Sequence, residues 1–397
     1  MELFILPSSI NYQPQHNELL LTENDFHPCK PFFIEHNFIQ ESITKIKTKG
    51  VFETIKYIRQ VLKVIDYLLE VGGEIYIEFF RASFDTGGYP LRPLNYLMNE
   101  ISLCYKDRYK MYKREFKNNI DLIWLKKINN PLPAGDLITR WSFGIVSDGR
   151  KNERVLNIIK QITEFQIPEY EILICGPAPA INLAKEIKVI DDNDLYFDVR
   201  IPISKKKNRI VDLARFNNLI IMHDRISFEK DWYTKMVAYG NCFDQICCPI
   251  FDESTKSIRI NDWSSKYHDD TQFEKSNTTS LKYYEWDRNI YVDGGFMLLK
   301  KHIILKCRLD DNLNWGEMED VNLSERLYLD GNLVNFYADT NLLTQTHRIK
   351  GNRQSKNWFK AFIKPIRSKQ YEQKRNKSIL LNFRNFLKMN FSDNIQQ

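Results

Sequence analysis

The sequence predicts an α/β protein, because short apolar strands alternate with amphipathic helices along most of its 397 residues. The clearest unit is ITRWSFGIVSDGRKNERVLNIIKQITEF followed by YEILICG, which gives a strand, a polar turn, a helix and a second strand. A strand–helix–strand unit of this kind predicts parallel strands. Hydrophobic residues make up 43% and aromatic residues 13% of the chain, which supports real cores and argues against disorder.

Composition also excludes several classes of protein. No apolar run approaches the roughly 18–20 residues that a membrane span requires. The opening MELFILPSSINYQPQ has no basic region or cleavage site, so we expect no secretory signal. The seven cysteines are scattered and show no CxxC spacing, which favours a reduced, cytoplasmic chain over a zinc or disulfide framework.

Positive charge is concentrated at the end of the chain. Residues 350–397 contain twelve Lys or Arg and two acidic residues, a net charge of +10, whereas the whole chain carries +6. The segment NWFKAFIKPIRSKQYEQKRNKSILLNFRNFLKMNF interleaves these charges with apolar residues. A basic amphipathic segment suits an anionic membrane surface, which would place the protein on the inner face of a membrane. The alternatives are a solvated basic tail or helices that pack on the domain; no recognition motif favours nucleic acid.

The first 133 residues predict a separate module. After an irregular opening, SITKIKTKGVFETIKYIRQVLKVIDYLLE has a helical pattern with apolar residues from Ile58 to Leu69. VGGEIYIEFF predicts a turn at Gly72-Gly73 and then a strand. The remaining predicted elements are a helix over Leu94–Cys104 and strands near Tyr109–Phe116 and Leu122–Lys127, followed by a linker, NNPLPAG.

The segment LLEVGGEIYIEFF resembles the C-terminal half of a class I S-adenosylmethionine-dependent methyltransferase. In that family a leucine-x-proline-glycine-glycine turn precedes a hydrophobic strand, and in this chain Val71 stands in place of the proline. The family binds its cofactor on a Gly-rich turn, but no G-x-G occurs before residue 72. The resemblance therefore implies a degenerate methyltransferase-like module that does not bind the cofactor.

Residues 137–349 predict a second unit whose polar residues follow strand ends. The first strand ends at Ser147-Asp148-Gly149, which on its own is equally consistent with an ordinary turn. A basic loop and a helix follow, and then an apolar strand that ends at His223-Asp224-Arg225. Gly294-Gly295 interrupts a later strand. Because ligands in such sheets bind beyond the carboxyl ends of the strands, these positions are candidates for a site.

The order of these segments resembles the GT-A fold of nucleotide-diphospho-sugar transferases, especially the inverting family 2 type. In that Rossmann-like family the turn after the first strand contacts the base and ribose, which implies this role for Ser147, Asp148 and Gly149. The second strand usually ends in an acidic pair, and in this chain it ends in Cys175-Gly176. A basic residue, an asparagine and a small helix precede the metal strand of the family. The matching positions are Lys206, Lys207 and Asn208, and the resemblance implies that Lys207 and Asn208 bind the nucleotide sugar.

The same resemblance implies a divalent metal. The family's Asp-x-Asp motif reads Met222-His223-Asp224-Arg225, so Asp224 is the expected ligand and His223 lies at the nucleotide sugar. His347 matches a late histidine that completes the metal shell in several GT-A enzymes. A set of oxygen and imidazole ligands favours Mn²⁺ over Mg²⁺. If the site is metal-free, the positive charge would come from Arg225, Lys206 and Lys207.

The segment WGEMED resembles the acidic helix start of inverting GT-A enzymes. The resemblance implies that Asp320 is the general base and that Glu319 binds sugar hydroxyls. Trp315 would offer a flat apolar face to a sugar, and Gly294-Gly295 would let the backbone approach the donor. Alternatively, these acids, together with Glu317, only stabilise the first turn of a helix, by about 0.3–1 kcal/mol each.

Taken together, the resemblances imply three regions and one reaction. The regions are a methyltransferase-like module (1–133), a GT-A domain (137–349) and a basic amphipathic tail (350–397). The expected reaction moves a sugar from a nucleoside diphosphate, most simply UDP, to a hydroxyl of a glycan or lipid-linked acceptor with inversion and Mn²⁺ or Mg²⁺. The alternatives are a methyltransferase and an inactive scaffold that binds sugar or a partner.

Overall fold

A computed structural model gives the fold. It describes residues 1–9, 12–14, 18–29, 40–80, 94–130, 136–179, 184–196, 200–256, 263–265, 279–281 and 285–345. These residues form two compact units, which divide between residues 130 and 136, in the region of the expected linker; residues 28–29 belong to the second unit. Both units combine helices with sheets, so the predicted α/β class is confirmed. The tail from residue 350 lies outside the described residues.

The first unit is built on a six-stranded sheet with the order β2-β1-β3-β4-β6-β5. Strands β1 to β4 are parallel, and β6 runs antiparallel to both β4 and β5. Its strands are β1 Glu2–Leu6, β2 Glu18–Thr22, β3 Ile43–Lys49, β4 Leu69–Phe80, β5 Tyr109–Lys117 and β6 Ile120–Lys127, and its helices are α1 Ile58–Leu68 and α2 Leu94–Tyr105. Since β1 lies between β2 and β3, the chain moves outward from β1 in both directions, as in doubly wound sheets.

Three details of this unit differ from the sequence prediction. The opening is not irregular, because β1 and β2 form there. The helix begins at Ile58, and residues 43–49 are a strand that pairs with β1 and β4. Ile46 and Thr48 are buried at alternate positions of this strand. The Gly72-Gly73 pair lies inside β4, where the pairing register with β3 shifts. A Cβ at Gly73 would lie 2.9 Å from the carbonyl oxygen of Thr44, so the strands meet there only because the side chain is absent.

The second unit contains a seven-stranded sheet with the order β18-β12-β17-β10-β7-β8-β9 and two smaller sheets, β11-β19-β13 and β15-β14-β16. Its strands are β7 Arg140–Val146, β8 Glu169–Cys175, β9 Ile187–Ile190, β10 Asn218–His223, β11 Ile226–Phe228, β12 Gln245–Cys247, β13 Ile250–Asp252, β14 Ser264–Ser265, β15 Thr279–Ser280, β16 Ile290–Tyr291, β17 Phe296–Lys300, β18 Val334–Phe336 and β19 Leu342–Thr344. Its helices are α3 Asn152–Glu164, α4 Ile203–Leu213, α5 Trp232–Tyr239, α6 Lys301–Lys306 and α7 Glu319–Leu329.

The predicted strand–helix–strand unit is β7-α3-β8, and its strands are parallel. The neighbouring strand β10 is buried on both faces. Leu219 and Ile221 pack into one core layer, and Ile220 and Met222 pack into the other. A strand covered on both faces reads as a continuous apolar run, which is why LIIM was recognisable in the sequence.

A buried polar cluster closes the sheet at the edge where β10 begins and β17 ends. The ammonium group of Lys300 lies 3.0 Å from Asp136 Oδ1 and donates hydrogen bonds of 2.7 Å each to the side-chain oxygens of Asn218 and Asn241. Asp136 is the first described residue of the long part of this unit. The cluster therefore anchors the start of the domain to its central strands.

Within the described ranges, no helix is long and apolar enough to cross a membrane.

Candidate functional site

The polar strand ends predicted from the sequence meet at one edge of the seven-stranded sheet. Because β7, β8 and β10 are parallel, Ser147, Gly176 and His223 all lie at their carboxyl ends. Strand β17 runs antiparallel to β10, so its starting end, preceded by Gly294-Gly295, lies at the same edge. Ligands of open α/β sheets bind at this edge.

Hydrogen bonds order the turn that follows β7. Ser147 Oγ donates to the carbonyl of Pro177 (2.7 Å) and accepts from the backbone N–H of Gly149 (3.1 Å). Gly149 has φ +76°, a backbone conformation that favours glycine. Burial opposes ionisation of Asp148, but hydrogen bonds from the side chain and backbone of Arg150 outweigh it and hold the pKa of Asp148 below its usual value. A charged, ordered turn is thus present at the predicted position.

Lys206 is buried, with 1% of its surface exposed, and it links the ends of β7 and β9. Its ammonium group donates to the carbonyl of Ser147 (2.9 Å) and to the hydroxyl of Tyr196 (3.2 Å), and it lies 2.6 Å from Asp192 Oδ2. Burial alone would lower the pKa of Lys206, but Asp192 and Tyr196 raise it above the ordinary value. The predicted basic loop is therefore wrong, because helix α4 begins at Ile203 and takes Lys206 into the interior.

Sequence reasoning missed Asp192. It is the second residue after β9, at the same edge as Gly176. A Cβ at Gly176 would lie 3.3 Å from Asp192 Oδ2. The run IKVIDD, an apolar strand that ends in two acids, was the available signal. The end of β8 thus has no acidic residue, and an acidic residue follows the neighbouring strand β9 instead.

Asp224 lies directly beside this turn. Its backbone N–H donates to the carbonyl of Val146 (3.3 Å), and Lys151 Nζ lies 3.8 Å from its Oδ1. Its Oδ2 is buried and has no hydrogen-bond partner among the described residues. Burial raises the pKa of Asp224, and Lys151 partly opposes the rise. A buried carboxylate oxygen that lacks a partner is a position at which a ligand or cation would complete the coordination.

A single carboxylate, that of Asp224, is the candidate cation ligand among the described residues at this edge. Among the residues that the structure describes, no three His, Cys, Asp or Glu side chains form a metal-binding group. Mg²⁺-type sites commonly use only one or two carboxylates and take other ligands from phosphates and water. His347, the other expected ligand, lies outside the described residues.

Gly294 and Gly295 connect this strand end to helix α7. The carbonyl of Gly295 accepts a hydrogen bond from the backbone N–H of His223 (2.9 Å). The backbone N–H of Gly294 donates to Asp320 Oδ2 (2.7 Å). A Cβ at Gly294 would lie 2.9 Å from both Asp320 Oδ2 and Glu319 Oε1. A continuous series of contacts therefore joins Asp224, through the two glycines, to Asp320.

The carboxylates at the start of α7 have different environments. Glu319 is buried and forms an ion pair with the fully buried Lys207 (2.9 Å), which also donates to the carbonyl of Gly294 (2.8 Å). Asp320 is half-buried, and burial, together with the charges of Glu319 and Asp293, raises its pKa to about 6. Lys207 and the N–H of Gly294 act in the opposite direction. Asp320 therefore binds a proton more readily than an ordinary aspartate does.

These contacts do not support a simple capping role for the acids. Glu317 precedes the helix, and its Oε2 accepts from the backbone N–H of Asn314 (2.8 Å). The N-cap residue is Met318, in the left-handed conformation and without a side-chain cap hydrogen bond. Only Asp320 Oδ1 accepts from a first-turn amide, that of Val321 (2.8 Å). The carboxylates of Glu319 and Asp320 instead contact α4 and the glycine pair.

The two other predicted residues are associated with the loop before α7: Trp315 belongs to it, and Asn208 lies on α4. Asn208 is buried and holds this loop through its side-chain hydrogen bonds to Leu309 and Asp311. Trp315 is 54% exposed, and its backbone N–H donates to the carbonyl of Ile201 (3.0 Å). The structure thus places Asn208 beneath the loop and leaves the face of Trp315 accessible.

Comparison with known proteins finds similarity at the level of structure. No protein-family model and no curated protein sequence matches the chain. The chain is similar to GalNAc-T7 in complex with UDP, GalNAc and Mn²⁺, with 13% identity and a TM-score of 0.41 over 57% of this chain and 48% of that one. It is similar to S. aureus TarS (10% identity, TM-score 0.37, 64% of this chain and 73% of that one).

A third similar structure is the mannosyltransferase PcManGT from Pyrobaculum calidifontis with GDP-Man and Mn²⁺ (9% identity, TM-score 0.36, 56% of this chain and 62% of that one). A type 11 methyltransferase structure from Sulfolobus solfataricus covers 30% of this chain and 63% of its own, with 15% identity and a TM-score of 0.21. The expected resemblance to glycosyltransferases and, over a shorter stretch, to a methyltransferase is thus found among solved structures. The chain spans about half of GalNAc-T7.

Proposed function

We propose that the chain is an inverting glycosyltransferase of the GT-A type, which moves a sugar from a nucleoside diphosphate, most simply UDP, to a hydroxyl group. One observation carries this proposal. Asp320 lies at the ligand-binding edge of an α/β sheet, hydrogen-bonded to the Gly294 backbone, with its pKa raised to about 6. A base with a pKa just below neutral pH is both ionised and able to take a proton.

In the proposed reaction Asp320 accepts the proton of the acceptor hydroxyl. The acceptor oxygen forms a bond to the anomeric carbon while the bond from that carbon to the diphosphate oxygen breaks. The nucleoside diphosphate leaves with the electron pair, and attack from the opposite face inverts the carbon. Each Asp320 oxygen accepts one backbone N–H, from Gly294 and Val321, which holds the carboxylate in place. A carboxylate has about four lone-pair sites, so capacity for the proton remains.

The other end of the site suits the donor. The ordered Ser147-Asp148-Gly149 turn would contact the base and ribose, and the predicted roles of His223, Gly294 and Gly295 at the sugar and diphosphate remain part of this proposal. Asp224, with a buried oxygen that lacks a protein partner among the described residues, would hold a divalent cation, which supplies charge neutralisation at the departing diphosphate. Lys151, 3.8 Å from Asp224, adds positive charge beside it. The exposed ring of Trp315 offers a face to a sugar.

The test compares Asp320→Asn with wild type. Release of nucleoside diphosphate from a panel of UDP- and GDP-sugars, with Mn²⁺ or Mg²⁺ present, should fall about 10²–10⁴-fold at pH 7.5. Donor binding, measured by thermal shift, should persist, because Asn keeps the size of the side chain. Glu325→Gln removes a charge from the same helix and serves as the matched control, with activity expected to stay at the wild-type level. Equal turnover in Asp320→Asn and wild type would reject Asp320 as the base.

A further inference from the structure

The first five residues of α4 bring two adjacent lysines toward different halves of the site. Lys206 contacts the nucleotide half, through Ser147, Asp192 and Tyr196. Lys207, which has no exposed surface, contacts the half that contains Asp320. A fully buried ammonium group cannot bind a substrate without rearrangement, so the role of Lys207 must act through its neighbours.

Lys207 holds two different groups at once. Its Nζ donates to the carbonyl of Gly294 (2.8 Å) and forms the ion pair with Glu319 Oε1 (2.9 Å). The same Gly294 donates its N–H to Asp320 Oδ2 (2.7 Å), and Glu319 precedes Asp320 on α7. Lys207 therefore reaches Asp320 by two routes, one through the glycine backbone and one through the helix start.

We infer that Lys207 and Glu319 are positioning residues, whose buried ion pair holds the Gly294 backbone and the Asp320 carboxylate in their reactive arrangement. This inference deepens the proposed function and rests on it. Glu319 was expected to bind sugar hydroxyls, and Lys207 was expected to contact the nucleotide sugar. In this assignment neither touches substrate.

The pair also supplies opposing charges to Asp320. The charged groups that face its carboxyl are Glu319 on α7, Lys207 on α4 and Asp293 in the segment before β17, together with the N–H of Gly294. Glu319 and Asp293 raise the pKa of Asp320, after burial, and Lys207 lowers it. Neutralising each partner of the pair should thus shift the titration of Asp320 in opposite directions, which an effect on folding alone would not do.

The experiment measures kcat for nucleoside diphosphate release against pH in Lys207→Met, Glu319→Gln and the double variant. In Glu319→Gln the acid limb should move to lower pH, and in Lys207→Met to higher pH, each by about one unit. The double variant should return toward the wild-type limb, with kcat at the optimum at least about tenfold below wild type because Gly294 and Asp320 are no longer held. Lys205→Met, on the same turn of α4, is the control and should keep the wild-type profile.

A second measurement separates this inference from the proposed function. The ¹³C carboxyl resonance of Asp320, identified by its absence in Asp320→Asn, can be titrated whether or not the protein transfers sugar. Opposite shifts in the two single variants support the inference even if wild type proves inactive, which would overturn only the proposed function. If Lys207→Met does not fold, as thermal unfolding would show, Glu319→Gln and the double variant still decide the matter. Unchanged or same-direction shifts in the variants that fold would overturn it.

Discussion

At the scale of single residues, Asp224 and Asp320 carry the two chemical tasks of the proposed site. Asp224 has a buried oxygen that lacks a partner among the described residues, and Asp320 has both oxygens bonded to backbone amides. The first arrangement suits a group that is completed by its ligand. The second suits a group whose orientation must be set before substrate arrives.

Replacing Asp224 should therefore change the cation-dependent binding of the nucleotide. We expect Asp224→Asn to abolish most of the increase that Mn²⁺ produces in affinity for UDP, measured by calorimetry with and without the cation. UDP binding without cation should not weaken, since the substitution removes a charge that repels phosphate. Asp231→Asn is the control, because Asp231 follows β11 whereas Asp224 precedes it. An undiminished Mn²⁺ effect would show that the cation is held elsewhere.

The raised pKa of Asp320 also predicts a pH dependence of stability. Its pKa in the folded protein is about 6, against an ordinary value of 3.8. The folded state thus binds the proton more tightly, and the resulting stabilisation is present at low pH and lost as the pH rises through about 6. The free energy of unfolding of wild type, relative to Asp320→Asn, should fall by about 1–3 kcal/mol between pH 4 and 7. Denaturant unfolding at several pH values measures this difference; a flat difference would contradict the raised pKa.

At the scale of elements, the sequence predicted the strands and helices that a local residue pattern determines. Strands β7, β8 and β10 were recognisable because buried parallel strands are continuous apolar runs, and α7 because it is amphipathic and ends near Gly331. The choice of Asp320 as the candidate base followed from the resemblance of WGEMED at the start of that helix. These features depend on residues that are close together in the chain.

The remaining features depend on contacts between distant residues. Lysines 205–207 looked like a basic loop, because nothing in the local pattern shows that Asp192 and Glu319 will neutralise Lys206 and Lys207. Residues 43–49 looked helical, because their pairing with β1 and β4 is a property of the sheet. Buried charges are therefore the part of a site that a single sequence reveals least.

The glycine pair between β16 and β17 offers a test at this scale. In Gly294→Ala the new Cβ would lie 2.9 Å from Asp320 Oδ2 and from Glu319 Oε1, so both carboxylates must shift. We expect kcat to fall at least about tenfold with a smaller change in the KM for the donor, since sub-ångström misplacement affects the transition state most. Thermal unfolding of Gly294→Ala is the control, because it shows whether the substitution lowers stability as well as kcat. A wild-type kcat in Gly294→Ala would show that the close approach has no catalytic role.

At the scale of the whole molecule, the chain has two units with separate buried polar networks. The first contains the buried ion pair of Arg59 and Glu100 (2.5 Å), and the second contains the Lys300 cluster. We propose that the first unit is the degenerate methyltransferase-like module and that the second is the glycosyltransferase domain.

Calorimetry of the full chain should reveal two unfolding transitions. Removing one partner of a buried ion pair costs about 3–5 kcal/mol, so Glu100→Gln should lower one transition and Lys300→Met the other. UDP with Mn²⁺ should raise only the transition that Lys300→Met lowers, and S-adenosylmethionine should raise neither. A single transition that both variants lower, or a shift caused by S-adenosylmethionine, would contradict this division of roles.

The buried ammonium of Lys207 has a consequence for the synthesis of the protein. Its two partners, Gly294 and Glu319, follow it by 87 and 112 residues. At about 5–20 residues per second, a ribosome needs about 6 to 22 s to supply the second of them. During that interval the nascent domain cannot bury Lys207 without leaving its charge uncompensated. The central sheet should therefore form only after α7 has left the ribosome. Cotranslational folding of this domain should thus occur late and in one cooperative step.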